Sequence, residues 1–216
     1  MSTKQISTEV TADEALQRLI DGNKRFSQAN KEGLPLQGNT ACGDTNQEQS
    51  PFAIILGCSD ARVPAEIVFD QGIGDLFVIR VAGNIVAPSQ VGSIEFAAEL
   101  FGAKLVVVLG HSHCGAIKAT LDELERPSES RSRNLASIVS RIRPAVETLF
   151  ESSLRSDPEA LIRHSVRANV RASTSHLRQG SEILEHLIES EGLRVVGAEY
   201  SLETGLVDFF DLPTAD

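Results

Sequence analysis

The sequence predicts an α/β fold in which helices flank a mostly parallel central β-sheet of four parallel strands and one antiparallel edge strand. Three apolar segments are continuous rather than alternating, which is typical of parallel strands covered on both faces; they are residues 52–58, 76–82 and 105–111. Apolar residues at helical spacing over 89–101 indicate a crossover helix of the length that parallel strands require. The length of 216 residues fits a single domain.

The N-terminal region is predicted to be a helix followed by an arm. A capping-box pattern at 11–14 precedes apolar residues at helical spacing, which predicts a helix over 12–29. Residues 30–50 are polar and rich in Gly, Asn and Gln, so we expect an irregular arm there. The domain thus divides into a helix and arm, residues 1–50, and an α/β core, residues 51–216. Because the arm separates the helix from the core, we expect the helix to pack on a neighbouring subunit.

The remaining elements follow from local signals. Residues 63–72 offer a short crossover after the first strand, and the charged, proline-containing stretch 122–134 predicts a surface loop. Asp157, followed by proline, begins a helical region that is either continuous or broken at Gly180. Residues 193–212 form two apolar runs joined by a short turn, which predicts a β-hairpin at the sheet edge and supplies the fourth parallel strand.

Composition and charge exclude several classes of protein. The chain has 41% hydrophobic and 23% charged residues, as soluble globular proteins do. It has no apolar run near the roughly 20 residues of a membrane-spanning helix, and no secretion signal. The net charge of -10 argues against a nucleic-acid partner, so we expect a small-molecule substrate. Three cysteines in non-bridging contexts fit a reducing compartment, and we expect a cytoplasmic location without a membrane partner.

Cysteine and histidine side chains stand where two of the predicted strands end. Cys58 closes the first apolar run, His111 closes the third, and Cys114 follows three residues later. The carboxyl ends of parallel strands meet at one edge of a sheet, so these side chains should come together. Two thiolates and an imidazole are suitable ligands for a catalytic zinc whose fourth position holds water.

Other interpretations of these residues remain open at this point. Cys58 by itself could be a buried structural thiol, because free cysteine is among the most buried residue types. It could also be a nucleophile whose pKa is lowered by Arg62, although its loop lacks the glycines that would cradle an oxyanion. His111 alone would more often be a hydrogen-bonded core histidine, and its position beside Cys114 favours a ligand.

Asp60 and Arg62 follow the first strand directly, one residue apart. This spacing lets the guanidinium of Arg62 bind the carboxylate of Asp60. A surface salt bridge would be the plainer interpretation. Beside a zinc ion, however, Asp60 could orient the nucleophile while Arg62 keeps Asp60 ionised.

The other cysteine and histidines carry weaker signals. Cys42 lies in the polar arm without a neighbouring ligand and is interpreted as incidental. His113 could relay protons, but we favour a solvated side chain. The remaining histidines are expected at the surface; they are His164, His176 and His186.

Three motifs together resemble the β-class carbonic anhydrases. They are Cys-Ser-Asp-Ala-Arg at 58–62, Arg-Val-Ala-Gly-Asn at 80–84 and His-Ser-His-Cys-Gly at 111–115. The resemblance extends from residues 19–26 through the final hairpin. Ala61 replaces a serine of the family motif, at a position that is not a ligand.

The resemblance implies a role for each site residue. Cys58, His111 and Cys114 would bind Zn²⁺, and Asp60 with Arg62 would form the catalytic dyad.

The substrate pocket implied by the resemblance contains Gln49, Phe77, Phe96 and Gly115. Phe96 stands where the plant-type branch has a tyrosine, so one hydroxyl is missing. In such enzymes the pocket straddles a dimer interface, with Gln49 and Phe96 coming from the subunit opposite the zinc. A second branch has a regulatory bicarbonate site containing tryptophan. This chain has no Trp, and Gln49 favours the plant-type branch.

The resemblance therefore implies zinc-dependent hydration of CO₂ to bicarbonate and a proton by a homo-oligomer, either a dimer or a dimer of dimers. One alternative is hydrolysis of COS or CS₂ at the same zinc site on the same fold. Another is a non-catalytic zinc-binding or sensor protein. The joint presence of Asp60, Arg62 and Gln49 argues against the latter, because a structural metal site requires none of them.

Overall fold

The computed structural model describes residues 10–34, 49–127 and 132–212. Five strands and seven α-helices occur in these ranges, with two short 3₁₀ turns at Ala82–Asn84 and Ser153–Ser156. In chain order the elements are α1 (Ala12–Glu32), β1 (Ala53–Gly57), α2 (Ala65–Val68), β2 (Leu76–Arg80), α3 (Pro88–Phe101), β3 (Leu105–His111), α4 (Gly115–Glu125), α5 (Arg133–Phe150), α6 (Pro158–Gln179), α7 (Glu182–Glu191), β4 (Arg194–Tyr200) and β5 (Val207–Asp211).

The five strands form one sheet in the order β2-β1-β3-β4-β5. The first four are parallel, and β5 pairs antiparallel with β4 at the edge. This arrangement confirms the predicted fold class. Every residue of β1 and β3 is buried, which explains why both segments are continuously apolar.

Helices cover both faces of the sheet. Alternate side chains of a strand point to opposite faces, and the strands accordingly contribute to two separate cores. One core packs against α1 and α2. The other packs against α3, α6 and α7. A third apolar cluster, formed mainly by α4, α5 and α6, encloses Cys58 and Cys114 beyond the end of the sheet.

Two predicted boundaries require correction. The N-terminal helix runs to Glu32 and ends at Gly33, whose φ of 66° is the left-handed geometry of a helix terminus. The stretch 122–134, predicted as a loop, is helical at both ends, because α4 reaches Glu125 and α5 begins at Arg133. Asp122, Glu125 and Arg133 are exposed on these helices. The arm that contains Cys42 lies outside the described residues.

Helix α1 packs on the sheet of its own chain, so the expectation that it packs on a neighbouring subunit is wrong. Ala15 and Leu19 are fully buried in the core. The Asn23 amide donates to the carbonyl oxygens of Val68 and Gly205. The capping box at the start of the helix is confirmed. Small residues on the inner face allow this close local approach, which the sequence argument did not consider.

None of the helices in the described ranges combines the length and the apolarity that crossing a bilayer would require.

Replacing Gly22 with alanine should loosen the contact between α1 and the core. A Cβ at Gly22 would lie 1.8 Å from the carbonyl oxygen of Phe69, too close for any side-chain adjustment. We expect Gly22→Ala to lower the free energy of unfolding by roughly 2 kcal/mol, as forced overpacking does. Urea unfolding of the full chain measures this change.

Gly92→Ala is the matched control, because Gly92 is also a helical glycine and has open space around it. Its replacement should be neutral or stabilising by up to about 1 kcal/mol. Equal destabilisation by both variants would contradict the close packing of α1.

Candidate metal centre

The parallel sheet brings two predicted ligands to the same edge. Gly57 of β1 lies opposite Leu109 of β3, so Cys58 and His111 leave their strands side by side. The chain then turns through His113, whose φ of 54° is left-handed, and Cys114 precedes α4. The two sulfurs and an imidazole nitrogen lie within 4.8 Å of one another. All three side chains are buried.

The imidazole of His111 is oriented with one nitrogen free. Its Nδ1–H donates to the carbonyl oxygen of Ser112 over 2.9 Å. The other nitrogen, Nε2, is buried and has no hydrogen-bond partner among the residues that the structure describes. Burial lowers the pKa of this imidazole, but the adjacent Cys58 sulfur, the Ser112 carbonyl oxygen and the charge of Asp60 together outweigh burial and raise the pKa overall. The groups around the imidazole therefore stabilise a positive charge at Nε2.

The two thiols are chemically unequal when no cation is present. Cys114 donates its S–H to Cys58, which with the Gly83 N–H lowers the pKa of Cys58 to about 4. The same interaction, with burial, raises the pKa of Cys114, although the backbone amides of Ala116 and Ile117 at the start of α4 act in the opposite direction. Both thiols can ionise together only if a cation compensates the second charge. Two thiolates and a free imidazole nitrogen match the ligand preference of zinc, so the residues present fit this metal.

Asp60 and Arg62 form the ion pair that the sequence predicted. The Arg62 guanidinium donates from Nε to Oδ1 over 2.9 Å and from Nη2 to Oδ2 over 2.8 Å, and the Arg62 backbone N–H donates to Oδ1. These bonds hold the pKa of Asp60 well below its usual range. Oδ2 of Asp60 lies 3.9 Å from Nε2 of His111. An ionised carboxylate therefore stands beside the cysteine and histidine cluster while bound to arginine.

Arg80 is a structural member of the centre to which sequence reasoning assigned no role. Its Nε donates to the carbonyl oxygen of Cys58 over 3.1 Å, and its Nη2 donates to that of Asp60 over 2.6 Å. It thereby fixes the loop that carries both side chains. The sequence feature that could have indicated this role is the charged side chain of Arg80 at the end of an apolar strand, β2, which pairs with β1.

The predicted pocket residues do not all come together within one chain. Gly115 begins α4 directly beside Cys114. Phe77 lies opposite Ile54 in β1, four residues before Cys58, which is about 13 Å along the strand at about 3.3 Å per residue.

Gln49 and Phe96 also lie away from the predicted metal ligands of their own chain. The Phe96 ring is 6.3 Å from that of Phe77, and the side chain is 52% exposed. Gln49 is exposed and precedes β1, whereas Cys58 follows β1, so the two residues lie at opposite ends of this strand.

The remaining histidines are exposed, as expected; they are His113, His164, His176 and His186. His113 differs from the expectation in one respect, because its Nε2–H donates to Glu203 over 2.6 Å.

Comparison with known proteins gives a consistent result. A family model described as carbonic anhydrase matches residues 53–207. The chain is 37% identical to a carbonic anhydrase of Mycolicibacterium smegmatis over 194 residues, covering 90% of this chain and 91% of that protein. It is 35% identical to carbonic anhydrase 2 of Mycobacterium tuberculosis over 191 residues, covering 88% of this chain and 89% of that protein.

Solved structures agree with the sequence comparison. A tetrameric β-carbonic anhydrase of Sordaria macrospora superposes with a TM-score of 0.68 at 26% identity, covering 78% of this chain and 84% of that one. A β-carbonic anhydrase of Aspergillus fumigatus gives the same TM-score and identity over 94% of this chain and 92% of that one. With the family model matching most of its length and its sheet edge carrying the cysteine and histidine cluster, this chain belongs to the β-carbonic anhydrase family.

Proposed function

We propose that this protein catalyses the reversible hydration of carbon dioxide to bicarbonate and a proton, with Zn²⁺ bound by Cys58, His111 and Cys114. The observation that carries the proposal is the buried cluster of these three side chains, with the ionised Asp60 beside it. Relatives named carbonic anhydrase, similar over about nine-tenths of both chains, support it.

Zinc held by three protein ligands lowers the pKa of water in its fourth position to about 7 and so supplies a nucleophile at neutral pH. The protein supplies the ligands in the required state. Gly83 donates to Cys58, the first amides of α4 face Cys114, and Ser112 fixes the imidazole of His111. Apolar side chains around the cluster, including Ile85 and Ile117, limit the access of bulk water.

Asp60 acts as a hydrogen-bond acceptor beside the reacting group. Because Arg62 keeps the pKa of the Asp60 carboxyl low, Asp60 stays ionised and can accept a hydrogen bond but not donate one. A donor beside it is therefore oriented with its hydrogen toward the carboxylate. The two bonds from Arg62 also hold the carboxylate in place, and each oxygen keeps a second lone pair for a further donor. Arg62 therefore fixes Asp60 as an acceptor and competes with a cation for its carboxylate.

The active unit is a homo-oligomer, at least a dimer. Gln49, Phe77 and Phe96 stand toward the other end of β1 and β2 from Cys58, so they can line a metal centre only in another copy of the chain. The half-exposed Phe96, together with Leu100, which is 62% exposed, leaves an apolar surface beside the edge strand β2. The tetrameric state of the Sordaria macrospora enzyme is consistent with such contacts.

The alternatives raised by the sequence receive no comparable support. The relatives carry the name carbonic anhydrase, which does not favour a COS or CS₂ hydrolase. A purely structural zinc site would have no use for an ionised Asp60 held by Arg62. The cytoplasmic location stays a prediction.

Cys58→Ala should lose both the metal and the activity, because it removes one of three ligands from a buried centre. We expect zinc content below a tenth of one equivalent per chain, roughly as loss of a ligand from a closed site implies. Elemental analysis and a stopped-flow CO₂ hydration assay measure both quantities. Cys42→Ser is the control, because no ligand-type residue neighbours Cys42 in the sequence, and it should match the wild type. Full zinc content in Cys58→Ala would refute the ligand assignment.

Arg62→Ala should retain zinc and lose CO₂ hydration. It frees Asp60 without removing a ligand, and we expect kcat/KM to fall about 100-fold, the size of effect typical for a positioned proton-transfer group. Arg143→Ala is the matched control, since Arg143 pairs with Glu147 at the surface of α5. Near-wild-type kcat/KM in a zinc-loaded Arg62→Ala enzyme would disprove the role of the dyad.

A shared pocket can be tested by mixing two inactive variants. Cys58→Ala lacks a functional metal site, and Gln49→Ala lacks a pocket residue that should act in the other subunit. In a coexpressed mixed dimer, the chain with intact zinc ligands receives Gln49 from its partner, so one site is complete. We expect about a quarter of wild-type activity from an equal mixture, because about half of the dimers are mixed and each holds one complete site. Activity no higher than that of the separate variants would contradict a pocket built from two chains.

A further inference from the structure

The turn between β4 and β5 contacts the segment that carries two of the metal-binding side chains. The Ser112 backbone N–H donates to the carbonyl oxygen of Tyr200 over 3.0 Å, and the Leu202 N–H donates to Ser112 Oγ over 3.0 Å. Ser112 Oγ in turn donates to Oε2 of Glu203 over 3.0 Å. His113 Nε2–H donates to the other carboxylate oxygen, Oε1, over 2.6 Å. One carboxylate thus holds two consecutive side chains of the metal-binding segment.

This segment has a conformation that needs external support. His113 has a φ of 54°, a left-handed geometry that non-glycine residues adopt at an energetic cost. The turn at His113 is what brings Cys114 back toward His111. Glu203 holds the side chain of His113 at this turn and that of Ser112 directly before it, and Ser201 Oγ donates to the same Oε2 of Glu203 over 2.9 Å. The carboxylate is itself fixed by its own turn.

The position of Ser112 determines the orientation of a metal ligand. Its carbonyl oxygen accepts the Nδ1–H of His111, which leaves Nε2 free within the cluster. Such a partner sets both the tautomer and the ring orientation of a metal-binding histidine. A shift of Ser112 would therefore move Nε2 relative to the two sulfurs.

We propose that Glu203 is a positioning residue of the metal centre, which acts through Ser112 and His113 to hold His111 in its metal-binding orientation. The proposal rests on the zinc site proposed above. The side chains of His113 and Glu203 are 69% and 55% exposed, and exposed pairs contribute little to stability. The contact therefore serves the geometry of the centre more than the stability of the fold.

The test compares the zinc affinity of the full chain in six forms, by competition with a chelator. The forms are wild type, Glu203→Ala, Ser112→Ala, the double variant of these two, Glu203→Gln and Thr204→Ala. Glu203→Ala and Ser112→Ala should each weaken zinc binding about 10-fold, as loss of a hydrogen-bonding partner around a metal site does. Their double variant should be scarcely weaker than either, because both remove the same support. Glu203→Gln, which keeps an acceptor oxygen, should recover part of the affinity.

Thr204→Ala is the matched control. Thr204 belongs to the same turn, where its Oγ1 accepts the Leu206 N–H, and its side chain is not hydrogen-bonded to Ser112 or His113 in the described structure. This variant should bind zinc as the wild type does, and circular dichroism of the metal-free chains should show equal folding. If Glu203→Ala does not fold, Ser112→Ala decides the question in the same way.

Two results would overturn the proposal. In one, Glu203→Ala and Ser112→Ala bind zinc as tightly as the wild type. In the other, Thr204→Ala weakens binding by the same factor, which would make the effect a general loosening of the hairpin. In both cases the wild type still binds zinc and hydrates CO₂, so the proposed function stands. A wild-type chain that binds no zinc would overturn the proposed function as well.

Discussion

The parallel alignment of β1 with β3 is the constraint on which the proposed metal centre depends. It places Cys58 and His111 at one edge of the sheet although they are far apart in the sequence. The alignment is itself enforced by burial, since every residue of both strands is buried. A shift by one residue would move each side chain to the opposite face of the sheet. The relative position of Cys58 and His111 therefore depends on hydrophobic packing within the sheet.

The charges around the centre are arranged so that the sulfurs remain available. Arg62 binds the carboxylate of Asp60, and Arg80 binds the carbonyl oxygens of Cys58 and Asp60. Neither guanidinium is hydrogen-bonded to a sulfur in the described structure. The donors to the thiols include backbone N–H groups, such as that of Gly83 at 3.4 Å from Cys58. The arginines thus shape the loop, and the two sulfurs retain their capacity to bind a cation.

The sequence predicted the sheet and the cluster because both depend on local signals. Continuous apolar strands indicate parallel pairing, and the ends of such strands must meet at one edge. The position of α1 was predicted wrongly, because the fit of Gly22 against Phe69 depends on shapes that are set by the folded core. The contact between Glu203 and Ser112 joins residues that are 91 positions apart. Nothing in the residue types of this pair distinguishes it from other surface pairs, so the contact could not be predicted.

The buried Asn23 has a consequence for the order in which the chain can fold. Its amide bonds to Gly205, 182 positions later, and its side-chain oxygen accepts the N–H of Val207, which begins the last strand. During synthesis α1 emerges from the ribosome early and its partner Val68 follows soon after, but its two partners in the C-terminal hairpin are made almost last. Contacts over such sequence separations form slowly. The hydrogen bonds of Asn23 are therefore completed late, and α1 is fully docked only when the C-terminal hairpin has formed.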